Sequence, residues 1–191
     1  MSWDLPLAVD IGGKKYQIRK KCDYRVVLNC IAALNDKDLE MQNAVECALI
    51  IFYQDFNSVE DIYKLSAEDF ETAIKEMFKI INYGEEDDTA QPQKPKVMDW
   101  EKDFKLIASS TSHILGYDIR MPKYLHWWSF LGAYMEIGES TFANVVSIRK
   151  KKLKGKKLEK YEEEFYRENK KLVDLPLHLT AEEQALLDSE W

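Results

Sequence analysis

The sequence predicts a mainly α-helical bundle with a small N-terminal β-hairpin. Three observations carry this. The chain has only 7 Gly and 5 Pro in 191 residues, few for a protein built from many tight turns. One Gly-Gly pair, Gly12-Gly13, sits between two short alternating segments. Over most of the rest, apolar residues recur at spacings of three and four.

The hairpin comes first. Leu7-Ala8-Val9-Asp10-Ile11 and Lys15-Tyr16-Gln17-Ile18-Arg19 alternate apolar and polar, and Gly12-Gly13 tolerates the positive φ of a tight turn. A lone hairpin is marginal in water, so it must dock on something. Helical period then takes over. Asp23 is placed to cap a helix carrying Val27, Cys30, Ile31 and Leu34. Asp36 or Asp38 can cap the next, with Met41, Val45, Ala48, Leu49 and Phe52 on one face. Ser58 opens a short helix. Ser66, with Asp69 three residues on, caps a longer one whose face is Phe70, Ile74, Met77, Phe78 and Ile81, and Gly84 is its stop.

Residues 85–97 change character. Glu85, Glu86, Asp87 and Asp88 precede a Thr/Gln/Pro/Lys segment with Pro92 and Pro95, and no apolar period runs through it. The expectation is a flexible linker dividing an N-terminal part (1–84, hairpin plus helices) from a C-terminal helical region (98–191). The second part restarts at Asp99, with Trp100, Phe104, Ile107, Ala108, Thr111, Ile114 and Leu115 ahead of Gly116. Pro122 suits the first turn of a following helix. That helix would be apolar on most sides, from Tyr124 and Leu125 to Ile137, ending at Gly138, and so buried centrally or shared with a partner. Ser140 or Thr141 caps a helix with Phe142, Val145, Val146 and Ile148. Beyond a basic block, Leu158, Tyr161, Phe165 and Leu172 form a thin stripe suited to lying against a neighbour. Thr180 to Glu183 reads as a capping box opening a short C-terminal helix.

Composition bounds the function. Hydrophobic residues make up 46% and charged residues 32%, which allows a soluble chain with a real core. A net charge of -7 disfavours general nucleic-acid binding, because phosphate binding is driven by positive charge. Met1-Ser2-Trp3-Asp4 lacks the basic and apolar regions of a signal peptide, and no apolar run approaches the ~20 residues needed to span a bilayer. Cys22, Cys30 and Cys47 show no Cys-x-x-Cys spacing. These features lead to the expectation of a reducing, cytoplasmic compartment and no membrane partner.

No catalytic signature is visible. His113, His126 and His178 belong to no paired-histidine motif, so no metal and no cofactor are expected. Ser109, Ser110, Thr111 and Ser112 beside His113 lack a glycine-rich elbow and read as the polar side of a helix. Gly12-Gly13-Lys14 lacks the spacing of a phosphate loop. The expectation is a binding protein rather than an enzyme.

The most informative stretch is 117–175. Within it, Asp118-Ile119-Arg120, the segment His126-Trp127-Trp128-Ser129-Phe130-Leu131, Ser147-Ile148-Arg149, and the lysine run into Tyr161 to Asn169 together resemble a bacteriophage family. It is sometimes called the gene-product-fifteen family, of long-tailed phages and prophages of Gram-positive bacteria. The resemblance implies a non-enzymatic protein whose gene lies between those of the tail tube and the tape measure. It implies a tail-assembly chaperone in the bacterial host cytoplasm. Such a chaperone would hold the long tape-measure helix, with the tail-tube protein as a second partner.

The residues offer a surface for that role, and each has a plainer reading. Trp127 and Trp128 point about 100° apart on a helix, so either both are core or one faces a partner. Leu131, Tyr134 and Met135 would extend such a groove for a partner's helix. Arg149, Lys150, Lys151, Lys152, Lys154, Lys156 and Lys157 read as a solvated face at a helix end, as a dock for an acidic partner, or as a nucleic-acid contact. The expectation is a groove of Trp127, Trp128, Leu131, Tyr134 and Met135 rimmed by those cations, on a self-associating protein. The alternative is a DNA-binding or packaging-associated phage protein using the lysine run.

Overall fold

The computed structural model of the protein describes residues 4–85 and 96–175. The acidic-to-proline core of the expected linker and the expected C-terminal helix at Thr180 lie outside the described residues. Among those described, nine helices and one two-stranded antiparallel hairpin appear, as the sequence predicts.

Strands β1 (Ala8–Ile11) and β2 (Lys14–Gln17) pair in the register Val9 with Tyr16. Gly12 and Gly13 both take positive φ, 58° and 76°, as the two-residue turn demands. Gly12 has a second constraint: a Cβ there would lie 2.3 Å from an Asp69 oxygen at the start of α4. The hairpin docks by its inner side chains, Val9, Ile11 and Tyr16, which enter the core.

One turn, Arg19–Lys21, then leads into α1 (Tyr24–Leu34). Lys20, Lys21 and Cys22 are three successive non-glycine residues with positive φ, at 48°, 56° and 61°. Each left-handed residue costs roughly 1–2 kcal/mol. Long-range bonds offset that cost: the Trp127 amide donates to the Cys22 carbonyl and the Tyr124 hydroxyl to the Lys21 carbonyl. Asp23 caps α1 as expected, accepting from the Arg25 amide at 3.0 Å.

Helix α2 (Met41–Phe52) departs from expectation, for its N-cap is Glu40. Asp36 is spent on its own turn, accepting from the Asp38 amide. Arg19 closes the far end of α2, donating to the carbonyls of Ile50, Ile51, Tyr53 and Phe56. Helix α3 (Val59–Ile62) follows, and α4 (Ala67–Ile81) starts at the predicted Ser66 cap. At the end of α4 both Tyr83 and Gly84 take positive φ, 63° and 90°, and the Gly84 amide donates to the Lys79 carbonyl.

Helix α5 (Phe104–Leu115) begins later than the pattern from Asp99 suggests. Asp99 and Asp103 instead fold a capping turn, Asp99 accepting from the amides of Glu101 and Lys102. Helix α6 (Trp127–Met135) is the largest correction, since neither Pro122 nor Tyr124 and Leu125 are helical and the helix ends before Gly138. The backbone ahead of it is claimed elsewhere. Asp23 accepts the Leu125 amide, and the Arg25 guanidinium donates to the carbonyls of Ile119, Arg120 and Pro122. The chain is α7 (Thr141–Leu153), α8 (Lys160–Glu168) and α9 (Lys170–Val173) from there on. Gly155, at φ 60°, turns the chain from α7 to α8.

One core cluster takes side chains from both sides of the 86–95 gap: Val9, Tyr24, Phe52 and Met77 with Ile107, Trp127 and Phe130. A smaller cluster, Val145, Ile148 and Val173, is closed by Leu158, Phe165 and Leu172. The stripe expected to meet a neighbour therefore packs, apart from exposed Tyr161, on the chain's own α7. Cys22, Cys30 and Cys47 are free, and burial pushes the first two thiols up to about 12.

The left-handed run makes a quantitative test. Lys21→Gly removes the Cβ clash while keeping the backbone bonds, and should stabilise the protein by about 1 kcal/mol, or ~3 °C in a thermal melt.

Candidate functional site

The expected site residues divide into two sets. Trp127 is 1% exposed and Leu131 7%, both inside the core. The Trp127 indole N–H donates to the Ile81 carbonyl at 3.0 Å. Trp128 is half-buried; its indole donates to the Ile80 carbonyl at 2.9 Å and its ring covers Gly84. The tryptophan pair thus closes the end of α4. His126 starts the helix: its Nδ1 accepts the Trp128 amide while Nε2 contacts the Pro6 carbonyl.

Arg149 is also internal, 5% exposed, and pairs with the buried Asp103 at 2.6 Å. Its remaining donors go to the carbonyls of Val97, Leu172 and Val173. Lys151 bonds Glu162 at 2.6 Å, and Lys152 bonds Asp174 and the Tyr166 hydroxyl. The Lys151 ammonium holds the Glu162 carboxyl below its ordinary value. Burial opposes charge on Lys152, yet its hydrogen bonds to Asp174 and Tyr166 hold its pKa above the ordinary lysine value. Three cations of the block are therefore engaged within the fold.

Of the others, Lys150, Lys154 and Lys156 meet at a concavity of about 520 Å³ between the end of α6 and α7. Tyr134, Ile137, Phe142 and Val146 supply its apolar floor. Met135, which is 60% exposed, and Lys150, Lys151, Lys154 and Lys156 stand around it. Lys150, Lys154 and Lys156 are exposed and form no ion pair among the described residues. Lys157, also exposed, lies beyond the lining. Two local features build this wall. The Ser140 hydroxyl caps α7 by accepting the Ala143 amide, and the turn at Gly155 folds Lys156 back so that its amide reaches the Lys151 carbonyl.

The sequence reading missed Ile137, Phe142, Val146 and Ala143 as lining residues. The available signal was excess: α7 carries more apolar residues than the Val145/Ile148 face uses. A second concavity of about 340 Å³ gathers Ser109, Ser110, His113 and Glu139. Among the described residues no hydrogen bond couples these side chains, and no cluster could hold a metal ion. No described helix is long and apolar enough to cross a membrane.

Fold and groove together define a small helical protein that presents an apolar trough edged with lysines. The chain belongs to the family described as Bacteriophage Gp15 protein, whose model matches residues 1–175. No curated protein and no solved structure matches it.

Two predictions follow from the geometry. Arg149→Met leaves Asp103 charged and unpaired in the interior, so a urea melt should lose about 3–5 kcal/mol, most of it regained in Arg149→Met/Asp103→Leu. Burial lowers the pKa of His126 below its ordinary 6.5. The neutral ring is the folded form, so its contribution is complete above pH 6.5 and declines as pH falls below that value. His126→Asn, which keeps a capping acceptor, should flatten that slope in melts taken between pH 7 and 5.

Proposed function

We propose that this protein is a tail-assembly chaperone that holds the tape-measure protein in the host cytoplasm, through the groove between α6 and α7. One observation carries the reading: Lys150, Lys154 and Lys156, exposed and with no ion pair among the described residues, border an apolar floor at the C-terminal end of α7. Membership of a phage family supports the setting. An amphipathic helix laid in such a trough buries its apolar face on Tyr134, Phe142 and Val146. Its acidic flank meets Lys150, Lys154 and Lys156, which set orientation and association rate more than tightness. Many copies, self-associated along one long helix, would hold it by avidity although each site is weak. The tail-tube protein is the natural second partner.

The placement of the side chains chooses the variants. Trp128, Lys151 and Lys152 serve the fold, so the informative changes are Val146→Asp and the pair Lys150→Glu/Lys154→Glu. Co-expressed with the tape-measure protein, each should lower the soluble yield of that partner, the charge pair by about tenfold in affinity, or ~1.4 kcal/mol. Unchanged yield with folded variants overturns the proposal. Duplex DNA is the contrasting ligand: binding that weakens steeply with salt and is lost in the charge pair would replace it.

A further inference from the structure

We infer that two surfaces outside the α6–α7 groove, a basic loop carrying Met121 and an acidic turn carrying Met41, dock on each other between copies of this chain, head to tail. The contact stands on these surfaces alone. Its use, lining up copies on one long partner, rests on the function proposed above.

Among the large apolar side chains described, Met41 at 84% and Met121 at 81% are the most exposed. A flexible, polarisable thioether adapts to the surface it meets, and methionine is enriched at interfaces. Neither residue lines the groove.

The Met121 surface is fixed in shape and basic. The Arg25 guanidinium holds the carbonyls of Ile119, Arg120 and Pro122, and the Met121 amide closes a turn on the Asp118 carbonyl. A loop already held in place loses little freedom on docking. The hydroxyl of exposed Tyr124 donates to the Lys21 carbonyl, which gathers Lys20, Lys21 and Lys123 around that ring. All three lysines are exposed, and none has an ion pair among the described residues.

The Met41 surface has the opposite sign. Asp36, Asp38 and Glu40, all exposed, precede Met41, with Lys37 as the single cation of that stretch. Asp38 and Glu40 enter no ion pair among the described residues. Exposed Tyr63 is pinned beside them, its hydroxyl donating to Glu46 on the second turn of α2 at 3.1 Å.

One chain cannot bring its own two surfaces together. Asp23 and Arg25, which hold the basic loop, open α1, and the acidic turn follows its end at Leu34, about 16 Å away. Helix α2 gives the same separation: Arg19, next to Lys20, bonds the carbonyls that close α2, whereas Met41 opens it, about 18 Å off. The surfaces therefore meet only between copies. Opposite charge favours that pairing, and like charge disfavours either surface meeting its own kind. Such a contact is heterologous and repeats as an open chain or a ring. Both surfaces are small, so the contact is a weak one, with a Kd on the order of 10–100 µM.

Sedimentation of the full chain tests this. At about 50 mM salt the average mass should climb past that of a dimer as concentration rises through the Kd, and at about 500 mM it should return to that of a monomer. Two folded variants, each checked by circular dichroism, separate the surfaces: Asp38→Lys/Glu40→Lys makes the turn basic, and Met121→Ser/Lys123→Ser blunts the loop. Each alone should associate at least tenfold more weakly than the unaltered chain. Mixed in equal amounts, they retain one intact loop and one intact turn between them, and should form a 1:1 pair that grows no further. A chain that stays monomeric at low salt overturns the proposal. So does association that strengthens with salt, that survives in either variant, or that the mixture fails to restore. The variants leave the groove unaltered, so their co-expression with the tape-measure protein keeps the two readings apart. Monomeric variants that still hold the partner leave the groove standing, and an assembling chain that fails to hold it leaves this contact standing.

Discussion

Arg149 fastens α7 to the rest of the molecule with all five of its N–H groups. Two bonds go to Asp103 ahead of α5, two to the carbonyls that finish α9, and one to Val97. Asp103 in turn accepts the Asp99 amide. Taking two charges out of water is costly, and only such complete satisfaction makes the burial tolerable. A hydrophobic pair could fill the volume, but it would not fix the roll of α7 about its own axis. That roll decides which residues face inward, Val145 and Ile148, and which face the trough, Val146 and Lys150. The trough thus depends on an ion pair made by the same helix, one turn from Val146.

A second polar knot joins the two stretches of chain. Asp23 caps α1, pairs with Arg25 at 3.1 Å and accepts the Leu125 amide. Arg25 then gathers three carbonyls of the segment before α6. Around this knot Tyr24 stacks on Phe130 at 4.8 Å and on Phe104 at 6.5 Å. The left-handed run at Lys20–Cys22 is the local strain accepted so that the chain can reach it. Polar bonds here choose the arrangement, and aromatic packing stabilises it.

What the sequence disclosed was local. Gly12-Gly13 announced the hairpin, Asp23, Ser66 and Ser140 announced helix starts, and spacing announced most core faces. The start of α6 was hidden because Pro122 looks like a helix opener, whereas its neighbourhood is held by Arg25, nearly a hundred residues earlier. The lysine run misled for the same reason. Nothing local tells that Arg149 answers Asp103 or that Lys151 answers Glu162 while Lys150 has no ion pair among the described residues. Tyr134, Met135 and four of the lysines do meet at one surface. Trp127, Leu131 and Arg149, which helped to carry the family resemblance or the expected groove, turn out to build the scaffold. Family pattern here describes architecture, and the trough emerges only when two helices are placed side by side.

The aromatic rings also form an unbroken series. Phe142 neighbours Tyr134 at 5.9 Å, Tyr134 neighbours Trp100 at 5.0 Å, and Trp100 neighbours Trp127 at 5.7 Å. The first two rings line the trough and the last lies in the middle of the fold. Whatever settles on Tyr134 therefore alters the surroundings of an indole one ring away. A ligand bound there would announce itself in the near-ultraviolet absorption and emission of the chain, with no dye required.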